Sequence, residues 1–371
     1  MEERPPFPTN RYGANHTNGE QMKRIISAFL LICLTLSALA LTACKKEKEY
    51  QTRGKTISYT YFNTVSTLAT YGDTTEEEFK LYCDEATAML GYYHKLFDIY
   101  YDYAGVTNLR RVNQMAGKEP VTVEKELIDF LLYCKQLFTL TDGKTNVMMG
   151  AVLNIWHDYR DEASSDPREA KVPTMEELEE AARHTDIDLL VIDEENCTVY
   201  ISDPKASIDV GAVGKGYATE RVYERLVELG ADNTVLNFGG NIRTIGVKPT
   251  GEDWLTGLTN PDKTSSDFAA QFYFGETACV TSGNYERYYT VDGVNYHHII
   301  DPDTLMPAAY FSSVTILTPD SALADALSTA LFCISYAEGV ALIEGIDANI
   351  EVIWIDLDGN ITSTKGVKFK T

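Results

Sequence analysis

The chain has 371 residues, 44% of them hydrophobic and 11% aromatic, which is ample apolar material for a globular core. Its 32 basic residues stand against 55 acidic ones, a net charge of -23. That balance excludes nucleic acid and anionic lipid as partners of the folded part and favours a well-solvated surface.

Residues 1–21 are polar, with Pro5, Pro6 and Pro8, and read as a spurious or disordered N-terminal extension. Met22 opens the basic run M-K-R, the apolar stretch Ile25 to Leu41 follows, and Leu41-Thr42-Ala43-Cys44 closes it, so residues 22–43 have the three regions of a signal peptide. The ending resembles a bacterial lipobox, in which Cys44 is lipidated and becomes the mature N-terminus. An uncleaved membrane anchor is the other reading, since the run approaches spanning length. Either way the folded part lies outside the cytoplasm and is tethered to a membrane, with residues 44–56 as the tether and 57–371 as the domain. Cys33 belongs with Cys44 to the signal, and the other cysteines, Cys83, Cys134, Cys197, Cys279 and Cys333, are scattered with no C-x-x-C and read as small buried hydrophobes.

Ile57 to Tyr71, rich in β-branched and aromatic residues, predicts a strand pair or one long strand. Thr75 to Tyr100 predicts a helix capped at Thr74 or Thr75, with Glu76 to Glu78 in its first turn. Asn108 to Asn113 is a short segment before a turn. Val121 to Thr141 predicts a second helix capped near Thr122. The apolar stretch Asn146 to Trp156 leads to His157 and Asp158; the charged segment Arg160 to Pro173 reads as an exposed loop, and Met175 to His184 as a helix. Leu189 to Ile201 predicts a hairpin around Glu194-Glu195-Asn196, Thr234 to Phe238 a buried strand, and Trp254 to Pro261 a strand and turn. No internal repeat and no regular β-α-β period is present, so the pattern predicts a mixed αβ domain of the α+β class.

Ile208 to Arg221 reads I-D-V-G-A-V-G-K-G-Y-A-T-E-R. Gly211, Gly214 and Gly216 surround Lys215 at the start of a helical run that stops at Gly230, which suits either a phosphate cradle or a tight strand-to-helix turn. It is neither a Walker loop nor a dinucleotide fingerprint. Near the C-terminus, Tyr296 to Pro302 reads Y-H-H-I-I-D-P. Because strand side chains alternate, His297 and His298 cannot face the same side, and one of them is free for chemistry. The last helix, Ser321 to Ser335, carries Asp325 and Thr329 one turn apart among small residues. The pair suits Mg²⁺ as two hard oxygen donors, or else is a surface Asp and a Thr bonded back to its own helix.

D-V-G-A-V-G-K-G-Y-A, N-F-G-G-N-I, T-S-G-N-Y-E-R, H-H-I-I-D-P and A-D-A-L-S-T-A, in this order, resemble the ApbE family of FAD:protein FMN transferases from about Tyr61 to the C-terminus. The resemblance implies a T-fold-like α+β architecture and Mg²⁺-dependent transfer of FMN from FAD to a Thr or Ser hydroxyl of an exported protein, with release of AMP. It implies targets such as subunits of Rnf-type and NADH:quinone oxidoreductase complexes. It assigns His298 as catalytic base, and Ala212 (through its carbonyl), Asp325 and Thr329 as metal ligands. It places Asp209, Lys215, Phe62, Tyr103, Lys144, Thr145, Asn146 and Ile300 on FAD. The chain departs from the family pattern at Asn63, Asn146 and Leu305. Two other functions fit the same residues: an FAD pyrophosphatase giving FMN and AMP, and a non-catalytic flavin-binding lipoprotein.

Overall fold

The computed structural model describes residues 51–371 apart from 262, 263, 266 and 347. The N-terminal extension, the signal peptide and Cys44 lie outside the described residues. Gln51–Thr371 forms one compact unit.

The chain opens with a hairpin of β1 (Gln51–Ser58) and β2 (Ser66–Gly72). β1 thus begins inside the stretch expected to be tether, because its backbone pairs along β2. Helix α1 (Glu76–Phe97) starts in a capping box between Thr75 and Glu78, and α2 is Leu109–Gln114. Next come β3 (Val121–Thr122), α3 (Lys125–Leu140), α4 (Gly150–Ser165) and α5 (Met175–Ala182). The strands β4 (Leu190–Asp193) and β5 (Thr198–Ile201) form the expected hairpin, and α6 (Gly214–Glu228) follows the glycine-rich turn. Strands β6 (Thr234–Phe238), β7 (Asn241–Ile245), β8 (Trp254–Leu258), β9 (Ala270–Phe274), β10 (Ala278–Gly283), β11 (Tyr288–Val291), β12 (Val294–His297) and β13 (Phe311–Thr318) lead to α7 (Ser321–Phe332) and α8 (Tyr336–Glu344). The chain closes with β14 (Glu351–Asp356), β15 (Ile361–Ser363) and β16 (Lys368–Phe369).

Three expectations need correction. Thr122 does not cap a helix: it pairs with Thr198 in β5, and α3 starts at Lys125. Arg160 to Ser165 is not loop but the last turns of α4, whose buried stripe Val152, Trp156 and Ala163 lies under the charges. The C-terminal helix ends at Phe332 and is not the last, since α8 follows.

The main sheet has eight strands in the order β1-β2-β6-β7-β10-β13-β14-β15. Every neighbouring pair in it is antiparallel. Helices α6 and α7 lie side by side against β7, β10 and β13. Leu68, Leu236, Phe238, Ala218, Val222 and Leu226 form the core between sheet and helices. Burial of such side chains stabilises by about 1.5–3 kcal/mol each, so this layer is the rigid support on which the site is built.

Candidate active site

The site sits where the start of α6 meets the first turns of α7. Gly214 begins α6, and its N–H bonds Val210 O at 2.8 Å. Gly216 N–H, which in a regular helix would aim at the Ala212 carbonyl, donates instead to Asp325 Oδ2 at 2.8 Å. The two helices approach closely here because Gly216 has no side chain: a Cβ would lie 2.5 Å from Asp325 Cβ and closer still to Ser321 O. Asp325 is buried, and Lys215 Nζ stands 3.4 Å from both of its carboxylate oxygens. These contacts are long for a charge-assisted hydrogen bond, which favours 2.7–2.9 Å, so the ammonium is loosely held.

The orientation of α7 is fixed at its N-terminus. Asp320 Oδ1 accepts the N–H groups of Ala322 and Leu323 at 2.7 and 3.1 Å. Glu220 Oε2, from α6, accepts that of Ser321 at 2.7 Å. Glu220 in turn grips buried Arg243 of β7 through two contacts of 3.1 and 3.3 Å, and the guanidinium lies 3.4 Å from the Tyr223 ring centre. Burial raises the Glu220 pKa and Arg243 opposes that rise. Thr145 adds a further strap, its hydroxyl donating to Ala326 O at 2.8 Å.

Thr329 lies one turn beyond Asp325 and donates to Asp325 O at 3.3 Å, which leaves the hydroxyl lone pairs available. The donors that suit a hard cation are thus a buried carboxylate with one oxygen committed to a backbone N–H, and a hydroxyl on the same helix face. The Ala212 carbonyl, in the turn before α6, is a further hard oxygen of the kind Mg²⁺ takes, so the chemistry of these donors fits the group.

His298 follows β12. Its neighbour His297 is buried, with Nε2 2.9 Å from Ala308 O and its ring edge-on to Phe332 at 5.7 Å. His298 points the other way, as alternation requires. Its backbone N–H and its Nδ1 both meet Arg287 O, at 3.1 and 3.2 Å. An Nδ1–H donating to that carbonyl leaves Nε2 as the free acceptor. Burial, reinforced by the positive charges of Arg287, then of Lys215, pushes the His298 pKa down to about 3, so its ring is neutral at physiological pH.

Away from this centre, Asp209 closes a short loop by accepting Gly211 N–H at 2.8 Å. Tyr100 and His157 stand beside it, their hydroxyl and Nδ1 3.1 Å apart. The negative charge of Asp209 bears on both rings. An aromatic group continues from there: Tyr103 donates to Asp98 Oδ2 at 2.6 Å, and both Tyr103 and Phe62 pack on His94, with ring centres 6.2 and 5.7 Å away. Phe62 and Asn63 have φ of 55° and 54°, the left-handed region that costs a non-glycine residue about 1 kcal/mol or more. The turn therefore presents Phe62 at an energetic cost.

A family model described as the ApbE family matches residues 62–354. The chain belongs to the ApbE family. A Haemophilus influenzae protein named FAD:protein FMN transferase is 28% identical over 359 residues, spanning 94% of this chain and 98% of that protein. A Treponema pallidum protein of the same name is 31% identical over 277 residues, spanning 70% of this chain and 73% of that one. The crystal structure of the ApbE protein from Thermotoga maritima superposes with a TM-score of 0.71 at 27% identity, covering 85% of this chain and 97% of that one. The mixed α+β architecture is therefore the ApbE architecture.

Within this ApbE chain the residues singled out in the sequence fall into separate groups. Lys215, Asp325 and Thr329 converge at the α6–α7 contact, with His298 close enough to feel Lys215. Asp209, Phe62 and Tyr103 line the aromatic side. Lys144, Thr145 and Asn146 serve as braces: Lys144 is ion-paired with Asp303 and lies 3.7 Å from Asp301, while Asn146 donates to Thr185 O at 2.8 Å. Ile300 has its side chain in the core with Trp156 and Leu305. Leu305 holds φ 60°, the left-handed region that favours glycine, and its carbonyl accepts Trp156 Nε1–H at 3.0 Å. Arg287, Tyr100 and His157 were not assigned from sequence. The one available signal was the Asp292-Gly293 pair, whose two-residue turn sets the register that puts Arg287 opposite His298.

Proposed function

We propose that this chain transfers FMN from FAD to a Thr or Ser hydroxyl of an exported protein, with Mg²⁺ as cofactor and AMP as leaving group. The observation that carries this reading is the convergence of Lys215 and Asp325 beside a neutral His298 whose Nδ1 is occupied and whose Nε2 is free. The names of the curated relatives, FAD:protein FMN transferase, support the same reading.

In the reaction, His298 Nε2 accepts the proton of the acceptor hydroxyl as its oxygen bonds the FMN phosphorus of FAD. The P–O bond to the AMP phosphate breaks, and its electron pair leaves with AMP. Lys215 supplies positive charge where negative charge develops on the diphosphate. Asp325, Thr329 and the Ala212 carbonyl would hold Mg²⁺, which when bound neutralises diphosphate charge and orients it. The aromatic group of Phe62, His94 and Tyr103 suits the flat flavin ring, and Asp209 closes the loop that leads to Lys215. The lipobox-like ending at Cys44 supports attachment to the outer face of the cell membrane, where an exported acceptor would be met.

The test is incubation of the chain with FAD, Mg²⁺ and a Thr-containing acceptor, followed by mass spectrometry. A mass gain of one FMN unit on the acceptor, absent in His298→Ala, is expected. FMN and AMP released with no adduct would replace transfer by hydrolysis, and intact FAD would exclude both.

A further inference from the structure

β11 and β12 form a hairpin in which Tyr288 faces His297. The ladder continues one rung further, where His298 N–H bonds Arg287 O at 3.1 Å. Arg287 and His298 are therefore cross-strand neighbours whose side chains share one face, with directly opposed Cβ atoms about 5 Å apart, while buried His297 occupies the other face.

The backbone leading into Arg287 is anchored, since Asn284 N–H bonds Ser312 O at 3.1 Å. Its carbonyl is used twice by His298. Its guanidinium is exposed and, among the described residues, has no carboxylate partner, although the chain carries 55 acidic residues against 32 basic ones. Lys215, by contrast, already shares its charge with Asp325. Two cations thus flank one neutral imidazole, and the one on the hairpin side is uncompensated. An anion placed beside His298 would meet the Arg287 guanidinium, whose planar fork can pair two oxygens of one phosphate at once, and would lie within the field of Lys215.

We propose that Arg287, standing across the hairpin from His298, binds the diphosphate of the flavin dinucleotide and is a second substrate-contacting residue of the site. This rests on the transferase reading for the identity of the ligand, but the anion site itself does not. Since the bonds to His298 come from the Arg287 backbone, replacing the side chain leaves the base in place.

The experiment measures binding of FAD, ADP and riboflavin to the full chain by titration calorimetry, for wild type, Arg287→Ala and Arg287→Lys. Arg287→Ala is expected to weaken FAD and ADP by about 10-fold or more, to keep the wild-type riboflavin affinity and melting temperature, and to be partly rescued by Arg287→Lys, which keeps the charge and loses the fork. Unchanged FAD and ADP affinity in Arg287→Ala overturns the proposal, as does an equal loss for riboflavin, which would mark a structural role. Arg287-dependent ADP binding by a wild-type chain that modifies no acceptor would overturn the transferase reading and leave the anion site standing.

Discussion

Gly216→Ala tests whether the α6–α7 contact sets the site. The added methyl would lie 2.5 Å from Asp325 Cβ and closer to Ser321 O, atoms belonging to or rigidly attached to a buried helix, so neither can swing aside. Overpacking of this kind costs about 1–3 kcal/mol. If the helices separate, the Gly216 N–H bond to the Asp325 carboxylate is also weakened, at about 1.5–3 kcal/mol for a bond to a charged group. Alanine recovers about 1 kcal/mol of helix propensity. The net loss is about 1.5–5 kcal/mol, or a fall in melting temperature of roughly 3–10 °C at about 2 °C per kcal/mol, the lower end of the range for domains of about 150–250 residues, because this one is larger. Gly214→Ala is the internal control, because its nearest neighbours are the side chains of Phe97 and Val210 at 3.3 and 3.4 Å, which can give way. Differential scanning fluorimetry, with FAD binding measured alongside, decides the matter. A Gly216→Ala chain that melts with the wild type and binds FAD as tightly would refute the idea that close helix approach positions Asp325.

Three further outcomes are expected. Glu220→Ala strands Arg243 without its carboxylate in the core and frees Ser321 N–H, so urea unfolding should show a loss of about 3–5 kcal/mol; a loss under 1 kcal/mol would mean that the pair is dispensable. His298 has a folded pKa of about 3, below the unfolded value near 6.5. The unfolded chain therefore binds a proton that the folded chain refuses, and stability falls as pH drops from about 6.5 towards 3; NMR titration should show no His298 imidazole protonation above pH 4 without ligand, and a midpoint near 6.5 would contradict the site geometry. Cys44→Ala should abolish incorporation of a fatty-acid probe into the chain, and labelling unchanged in that variant would remove lipidation at Cys44.

The legible part of the site is the part whose geometry follows from spacing within one element. Asp325 and Thr329 share a helix face because they are one turn apart, and the two adjacent histidines part because strand side chains alternate; no tertiary information enters either inference. What escaped is decided between elements. Thr122 has the side chain of a good cap, yet Val121 and Thr122 gain more by pairing with Val199 and Thr198 than by ending a helix. Arg160 to Ser165 looks like loop because its charges dominate, while Val152, Trp156 and Ala163, at spacings of four and seven, carry the buried stripe that makes it helix. Glu220 and Arg243 lie 23 positions apart, and only the antiparallel arrangement of β6 and β7 beside α6 brings them together. Arg287 falls between the two cases: it belongs to a motif visible in the sequence, but its relation to His298 exists only once the hairpin register is set. His298 is legible as a residue type, whereas the cation opposite it becomes legible only as a rung of a ladder.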